Sequence, residues 1–327
     1  MPRPRKLFTS PLDDSMPSLF DGLDDLAPID EIDVAKLKRI NRIHFMSLGS
    51  GSSGNCSYMG DGTTGFLIDA GVRPETVEQA MMRNGLFMDS IKGIILTHDH
   101  SDHVKYAYTI VRQHRHMALY CTPKAFNGIM RRHSISRRLK DYHKPIYKEF
   151  PFRIGAFEIT PFEVSHDGTD NVGFYITHGD HRVAVATDLG FISDRVAHYM
   201  GLARQIVIEA NYDAEMLRTG PYPEYLKARI AAQSGHLDNA VTGEFAGSLI
   251  ARTEGAPTHV FLCHLSHDNN TPARAVATVA DSIRRAAPSV RVETHDPAGY
   301  TPESGQSVCL YALPRFEASP MFTFRLD

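Results

Sequence analysis

From about residue 40 onward, short apolar runs alternate with glycine-containing turns and with stretches of helical spacing. Residues 43–48, 56–59 and 65–68 read as strands, the third ending at Asp69-Ala70-Gly71. Residues 75–84 follow with Val77, Ala80 and Met81 on one face, the spacing of an amphipathic helix. Gly93-Ile94-Ile95-Leu96 is again a short buried strand. A helix over 104–113, a strand over 118–121 and a helix opened by Pro123 come next. The second half repeats this grammar. Strands at 157–164, 172–177, 182–186 and 205–209 precede helices at 222–232 and 239–252. A strand at 259–263, a helix at 272–285 and strands near 290–293 and 307–311 complete the pattern. Two strand-rich halves, each followed by helices, predict a sandwich of two sheets with helices outside.

The bulk numbers add little to that picture, with two exceptions. The 327 residues are 42% hydrophobic and 22% charged, an ordinary globular balance, but they include 17 histidines, a number that suits a metal enzyme. Cys56, Cys121, Cys263 and Cys309 are widely separated and form no C-x-x-C pair. A disulfide framework and a cysteine zinc site are thereby disfavoured, and a reducing cytoplasm fits. The basic start is followed by no apolar core, and no run approaches the length of a membrane helix, so neither a signal peptide, an anchor nor a membrane partner is expected. Charge is uneven along the chain: residues 13–33 are acidic and contain no lysine or arginine. Residues 1–40 therefore read as a disordered tail ahead of one domain over 41–327. Its apolar islands, Ser18-Leu19-Phe20 and Leu23, could dock on a protein partner or fold back; a solvated tail is the simpler reading.

The strand at 93–96 leads into Thr97-His98-Asp99-His100-Ser101-Asp102-His103. Imidazole and carboxylate are the ligands that zinc and similar divalent ions prefer. His98 and His100 alternate, so an extended backbone points both to one side. Asp102 and His103 follow where the chain turns, and can address a second point. Three more candidates lie at strand ends: His166 in Ser165-His166-Asp167-Gly168, Asp188, and His264. Each alone would more often be a surface or hydrogen-bonding residue.

In this order, Asp69, His98-x-His100-x-Asp102-His103, His166, Asp188 and His264 resemble the motifs of the metallo-β-lactamase fold superfamily across roughly residues 43–313. The resemblance implies a four-layer αββα sandwich with two divalent metal ions, zinc or manganese. One would be held by His98, His100 and His166, the other by Asp102, His103 and His264, with Asp188 bridging. A closer resemblance, to the YycJ/WalJ branch, is carried by Gly49-Ser50-Gly51-Ser52-Ser53-Gly54-Asn55, Glu209-Ala210-Asn211-Tyr212-Asp213, Ser234-Gly235-His236-Leu237-Asp238-Asn239 and His264-Leu265-Ser266-His267-Asp268-Asn269-Asn270. That branch implies nucleic-acid hydrolysis, including 5′-to-3′ DNA exonuclease activity. The tRNA 3′-processing endonucleases share features at Glu209 and Gly235-His236. Neighbouring branches fit less well. Val104-Lys105 stands where glyoxalase II has Gly-Gly, His100 where the diiron oxygen reductases have glutamate, and no β-CASP insert fits between Asp188 and His264.

Roles follow from this set. Asp102 is expected to orient the attacking water as well as bind metal. Glu209 would raise the pKa of His236 and make it a usable acid for the leaving oxygen; alternatively, His236 merely caps the next helix beside Asp238. Asp69 is expected to orient the first cluster. Ser50, Ser52, Ser53 and Asn55 can turn hydroxyls and backbone N–H groups toward a phosphate, although such loops are usually plain turns. His267, Asn269 and Asn270 contact substrate or cap the helix near Pro272. Arg131, Arg132, Arg137, Arg138, Lys140, Lys144 and Lys148 form a basic run opposed only by Asp141 and Glu149. Tyr142 and Tyr147 in that run could stack on bases. Arg137, Arg138 and Lys140 are its candidates for tracking phosphates, against the ordinary reading of a solvated face. The expectation is a metal-dependent nuclease with nucleic acid as partner, DNA in preference to RNA. The alternatives are an RNA-processing nuclease, a small or cyclic phosphodiesterase, a lactone or thioester hydrolase, and a non-enzymatic binding module. Loss of a ligand would favour the last, and every expected ligand is present.

Overall fold

β-Branched and aromatic residues fill the apolar runs, and these form strands buried on both faces, the condition of a sheet covered on each side. The structure is a computed structural model that describes residues 42–252, 256–294 and 306–325. The acidic segment expected as a tail lies outside the described residues. Among the described residues seven strands form one sheet, in the order β15 (Phe322–Arg325), β1 (Arg42–Gly49), β2 (Cys56–Gly60), β3 (Gly65–Ile68), β4 (Ile91–Ile95), β5 (Ala118–Cys121) and β6 (His143–Pro145). Eight form the other: β13 (Arg291–Glu293), β14 (Ser307–Ala312), β12 (His259–Cys263), β11 (Gln205–Glu209), β10 (His181–Ala186), β9 (Val172–His178), β8 (Phe157–Glu163) and β7 (Phe152–Ile154).

Parallel neighbours need crossovers, and helices supply them. α1 (Pro74–Arg83) joins β3 to β4, and a pair of helices, α2 (Ser101–Val104) and α3 (Ala107–Gln113), joins β4 to β5. The single helix expected over 104–113 is interrupted because the Tyr106 amide donates to the Ala70 carbonyl (2.9 Å) instead of continuing the helical ladder. α4 (Pro123–Arg132) follows β5. In the second sheet α5 (Asp194–Leu202), unmarked by the sequence pattern, joins the parallel strands β10 and β11. α6 (Ala214–Thr219), α7 (Glu224–Ile230) and α8 (Asn239–Ile250) lie between β11 and β12, and α9 (Pro272–Ala286) follows β12.

The layers are αββα, as the resemblance implies. Phe45, Phe66, Phe157, Phe174, Phe261 and Phe322 belong to one buried cluster between the sheets. Truncating one such ring to alanine costs about 3–5 kcal/mol. Val77 and Met81 of α1, Ile110 of α3 and Ile129 of α4 cover the outer face of the first sheet. Val196 and Met200 of α5, Leu249 of α8 and Ile283 of α9 cover the second. β1, β3 and β4 end at the same edge as β8, β10, β11 and β12, so their following loops are brought together there. No helix among the described residues is long and apolar enough to cross a membrane.

Candidate metal centre and active site

Beyond β4 the chain leaves the sheet at Thr97, and the single turn of α2 folds Asp102 and His103 back beside His98. Ligand atoms of His98, His100 and His166 lie within 4.8 Å of one another, and so do those of Asp102, His103 and His264. His100 Nδ1 is 3.2 Å from His166 Nε2. Asp102 Oδ2 is 3.5 Å from His103 Nε2 and 3.6 Å from His264 Nε2. Asp188 stands between the two groups. Its Oδ1 is 3.5 Å from His166 Nε2, and its Oδ2 is 3.3 Å from His103 Nε2. A tetrahedral ion with ligands at about 2.0–2.1 Å sets them about 3.3 Å apart, which these separations match. His98 Nε2 and His264 Nε2 are buried with no hydrogen-bond partner among the described residues. Such an orphan costs about 1–3 kcal/mol, and a cation accepting the lone pair removes the cost. The nitrogen and oxygen donors therefore fit a borderline divalent ion.

The backbone is strained at the same place. Asp69 (φ 64°), Asp188 (φ 55°) and His264 (φ 54°) adopt the left-handed conformation that non-glycine residues avoid. Among the described residues Glu149 is the one other non-glycine there. Each site residue lies just beyond a strand end, where the bend aims its side chain inward. Gly71 is required nearby, since a Cβ would fall 1.6 Å from the Asp102 carbonyl oxygen.

Asp69, Asp188 and Glu209 are buried and Asp102 is half-buried, which gives the cluster a negative field. Burial opposes the charged form of His264, but Asp188, Asp102 and Glu209 outweigh it and push this ring up to about 10. His103 is likewise raised well above the usual histidine value, with Asp69 and Asp188 overcoming burial. His98, whose burial is reinforced by the charge of His103, is lowered well below it. Asp188 stays far below the carboxylate range despite burial, because His264 and His103 face it. These buried carboxylates call for cations beside them, the charge that divalent ions would supply.

The candidate ligands His98, His103, His166 and His264 are each held by a partner behind them. Asp69 Oδ2 accepts from His103 Nδ1 (2.7 Å), and Asp69 Oδ1 accepts from the Thr97 amide (2.8 Å). His98 Nδ1 meets the Thr97 hydroxyl (3.0 Å), and His166 Nδ1 donates to the Gly235 carbonyl (3.0 Å). Glu209 is wholly buried. Its Oε1 accepts from both His264 Nδ1 and His236 Nδ1 at 2.8 Å, and its Oε2 from the Leu189 and Leu237 amides at 2.8 and 3.1 Å. His236 thus has its expected partner, and Glu209, followed by His264 and Asp188, acts on it. Burial opposes the charged ring, yet Glu209 holds His236 above the ordinary histidine value. The capping alternative goes instead to Asp238, whose side chain accepts from the Ala240 amide at the start of α8.

Asp99 was given no role by the sequence pattern. It is buried, and its carboxylate accepts from the Thr169 amide (2.9 Å) and hydroxyl (2.6 Å), clasping the His98–His103 loop to the loop that carries His166. Arg132 stands 3.5 Å away, and His133 Nε2 donates to the Asp99 carbonyl. Burial of an aspartate beside the ligands is the signal, and only the fold reveals it.

Several proposed substrate contacts turn inward. Ser50 Oγ accepts from the His264 amide (2.9 Å). Asn55 Nδ2 reaches Asp102 Oδ2 (3.1 Å) and His103 Nε2 (2.9 Å), while its Oδ1 takes the Gly51 amide. Both position the centre. Asn269 is fully buried, with its amide and Nδ2 on the Ser266 hydroxyl, so it has no surface to offer a substrate. Asn270 is buried against the Ala210 and Asn211 carbonyls. Ser52, Ser53 and His267 are exposed. Arg137, Arg138 and Lys140 are exposed on a 3-10 turn, Arg137–Asp141, with no ion pair to a described residue. A cleft of about 650 Å³ opens beside His166 and is lined by Lys148, Ser165, Phe191 and Arg195 among others.

Residues 64–265 match the model of the β-lactamase superfamily domain. An exodeoxyribonuclease YycJ of Bacillus anthracis is 33% identical over 248 residues, which cover 74% of this chain and 89% of that protein. An exodeoxyribonuclease WalJ of Streptococcus pneumoniae is 31% identical over 248 residues, 75% of this chain and 90% of that one. The metallo-β-lactamase fold protein YhfI of Bacillus subtilis superposes with a TM-score of 0.58 at 14% identity, over 87% of this chain and 100% of that one. With its His/Asp cluster at the sheet edge, this chain is a metal-dependent hydrolase that belongs to the metallo-β-lactamase fold superfamily, on its YycJ/WalJ branch.

Proposed function

We propose that the protein hydrolyses nucleic acid at two divalent ions, zinc or manganese, and that it is a 5′-to-3′ exonuclease of DNA. The observation that carries this reading is the pair of ligand groups sharing Asp188, with a Glu209–His236 pair beside them. Ions held by His98, His100 and His166 and by Asp102, His103 and His264 would supply charge neutralisation at the phosphoryl group and an activated water. Asp102, 22% exposed, reaches the solvent from which that water comes and orients it. His236 donates Nδ1–H to Glu209, which leaves Nε2 to carry the proton for the departing sugar oxygen. A sugar alkoxide leaves poorly without that proton, whereas the thiolate of a thioester has no such need, so the pair supports phosphodiester chemistry over thioester hydrolysis. Ser52 and Ser53 remain as phosphate contacts near the centre. Arg137, Arg138 and Lys140 remain as an exposed basic face for the strand. The choice of DNA rests on the exodeoxyribonucleases of Bacillus anthracis and Streptococcus pneumoniae.

The test uses metal-loaded protein on end-labelled single- and double-stranded DNA and RNA, beside a chromogenic lactam and a thioester. Mononucleotides should be released from the 5′ end of DNA, with slower action on RNA and none on the lactam. Release from the 3′ end, or thioester hydrolysis outpacing that of nucleic acid, would overturn the reading.

A further inference from the structure

We propose that a second cleft at the active edge, between the Gly/Ser loop and α1, binds a phosphate group of the substrate strand other than the one being hydrolysed. This rests on the nuclease reading above. The cleft measures about 250 Å³, and its polar lining is Ser53, Arg73, Thr76, Tyr106 and Arg315. That is below the roughly 300–1,000 Å³ of sites for drug-sized ligands, and suits a single charged group. Gly49, Gly54 and Gly71 form part of its wall. A Cβ on Gly54 would fall 2.4 Å from the Gly71 carbonyl, so backbone stays bare there.

Charge separates this cleft from its larger neighbour. The cleft beside His166 has Lys148 and Arg195, but Glu163, Asp170 and Asp194 line it too. Lys148 is bound to Asp170 (2.7 Å) and Glu163 (3.1 Å), and Arg195 stands 3.5 Å from Glu149. Its cations already have partners. Among the described residues the smaller cleft has no aspartate or glutamate in its lining. Neither Arg73 nor Arg315 forms an ion pair with a described residue. Asp268 lies near Arg315, but its carboxylate accepts from Tyr222 (2.5 Å) and faces His267 (2.9 Å). Among the described residues the Arg315 guanidinium has only a long contact, 3.4 Å, to the Asn270 carbonyl. Two planar guanidinium forks flanked by hydroxyls are the chemistry that recognises phosphate.

The cleft is also held in register with the centre. The Ser50 amide donates to the Arg315 carbonyl (3.3 Å), and the Ser50 hydroxyl accepts from the amide of His264. Asn55, at the other end of the loop, holds Asp102 and His103. A phosphate in the cleft therefore sits at a fixed displacement from the scissile one. It is either the terminal monoester of the strand or an internal diester.

R73A/R315A separates these cases when assayed on 5′-phosphorylated and 5′-hydroxyl single-stranded deoxyoligonucleotides and on bis(p-nitrophenyl) phosphate. KM for the phosphorylated strand should rise about ten-fold or more. kcat/KM on bis(p-nitrophenyl) phosphate, which has one phosphate, should stay within about two-fold. A loss confined to the phosphorylated strand assigns the cleft to the terminal monoester, and an equal loss on both strands assigns it to an internal diester. Unchanged KM on both strands, or an equal loss on bis(p-nitrophenyl) phosphate, overturns the proposal. Arg73 is exposed, so R73A alone serves if the double variant does not fold, with about a three-fold rise expected. If the wild-type protein leaves both strands intact, it is the nuclease reading that fails. The cleft is then judged by inhibition of bis(p-nitrophenyl) phosphate hydrolysis by a 5′-phosphorylated deoxydinucleotide. Its inhibition constant should rise about ten-fold in R73A/R315A, and an unchanged constant overturns the cleft itself.

Discussion

The two ligand groups are built from similar side chains but backed differently. Behind His98 and His166 stand a hydroxyl, Thr97, and a carbonyl, Gly235. His100 faces Asp167 at 3.3 Å, but Arg229 counters that carboxylate at 2.6 Å. Behind His103 and His264 stand Asp69 and Glu209, buried carboxylates with no lysine or arginine partner among the described residues. A carboxylate behind an imidazole makes it a stronger donor. The Asp102–His103–His264 side should therefore hold its ion more tightly, and the His98–His100–His166 side should exchange first. Asp188, with one oxygen facing each side, would couple the two.

Removing that coupling is the severest way to break the contrast. Asp188→Ala should cost at least one ion and reduce hydrolysis to background, since its two oxygens face both groups. Elemental analysis showing full metal content in this variant would sink the bridging assignment.

His236→Ala comes next. It should keep its metals and lose about two to four orders of magnitude on nucleic acid, the scale of a general acid. A nitrophenyl ester, whose leaving group needs no proton, should still be turned over. Parallel loss on both substrates would make His236 structural. Glu209→Gln separates the pair further. Because Glu209 also receives His264 Nδ1, this variant should shed metal from the carboxylate-backed side, which His236→Ala should not. Equal metal content in the two variants would mean that Glu209 serves His236 alone.

The candidate ligands His98, His166, Asp188 and His264 could be picked out of the sequence because each follows closely on a strand end, and a strand of apolar residues is a local signal. The αββα layering was legible for the same reason. What lay hidden depends on contacts between distant segments. Asp99 reaches Thr169 and Ser50 reaches the amide of His264, and neither pairing leaves a periodic trace. The inward turn of Asn55 and the full burial of Asn269 were missed likewise, since a polar residue in a loop reads as solvent-facing until the loop is folded. α5 could have been inferred, because parallel strands such as β10 and β11 cannot be joined without a crossover.

A milder test compares the supports. Asp69→Asn should lower affinity about 10- to 100-fold for one of two ions, the usual scale for such a partner. Asp99→Asn, by loosening the Thr169 clasp, should weaken the other ion and by less. Chelator competition read by metal release should show each variant shifting a different step. A shift of the same step in both would show that the two sides are not separately supported.

The smallest expected effect uses the two histidines that bracket β12. His264, just past its end, is pushed up to about 10 by carboxylates. His259, at its start, has no carboxylate partner among the described residues. Its Nδ1 meets the Thr258 hydroxyl (3.0 Å), its ring packs against Phe261 and Phe324, and burial lowers it to about 4. In the unfolded chain it would take a proton near pH 6.5. Between these values the unfolded state binds more protons than the folded one, so stability falls as pH drops from about 6.5 toward 4 and is unaffected above. At pH 5 this contribution is about 2 kcal/mol, and it is lost with the ring. His259→Gln should be less stable at pH 7, where it loses the packing of the ring. Between pH 7 and pH 5, however, it should lose about 2 kcal/mol less than the wild type in urea unfolding. Curves that fall in parallel would mean that His259 is protonated in the folded protein. Burial without a carboxylate behind it would then not suffice to hold a histidine neutral in this sheet.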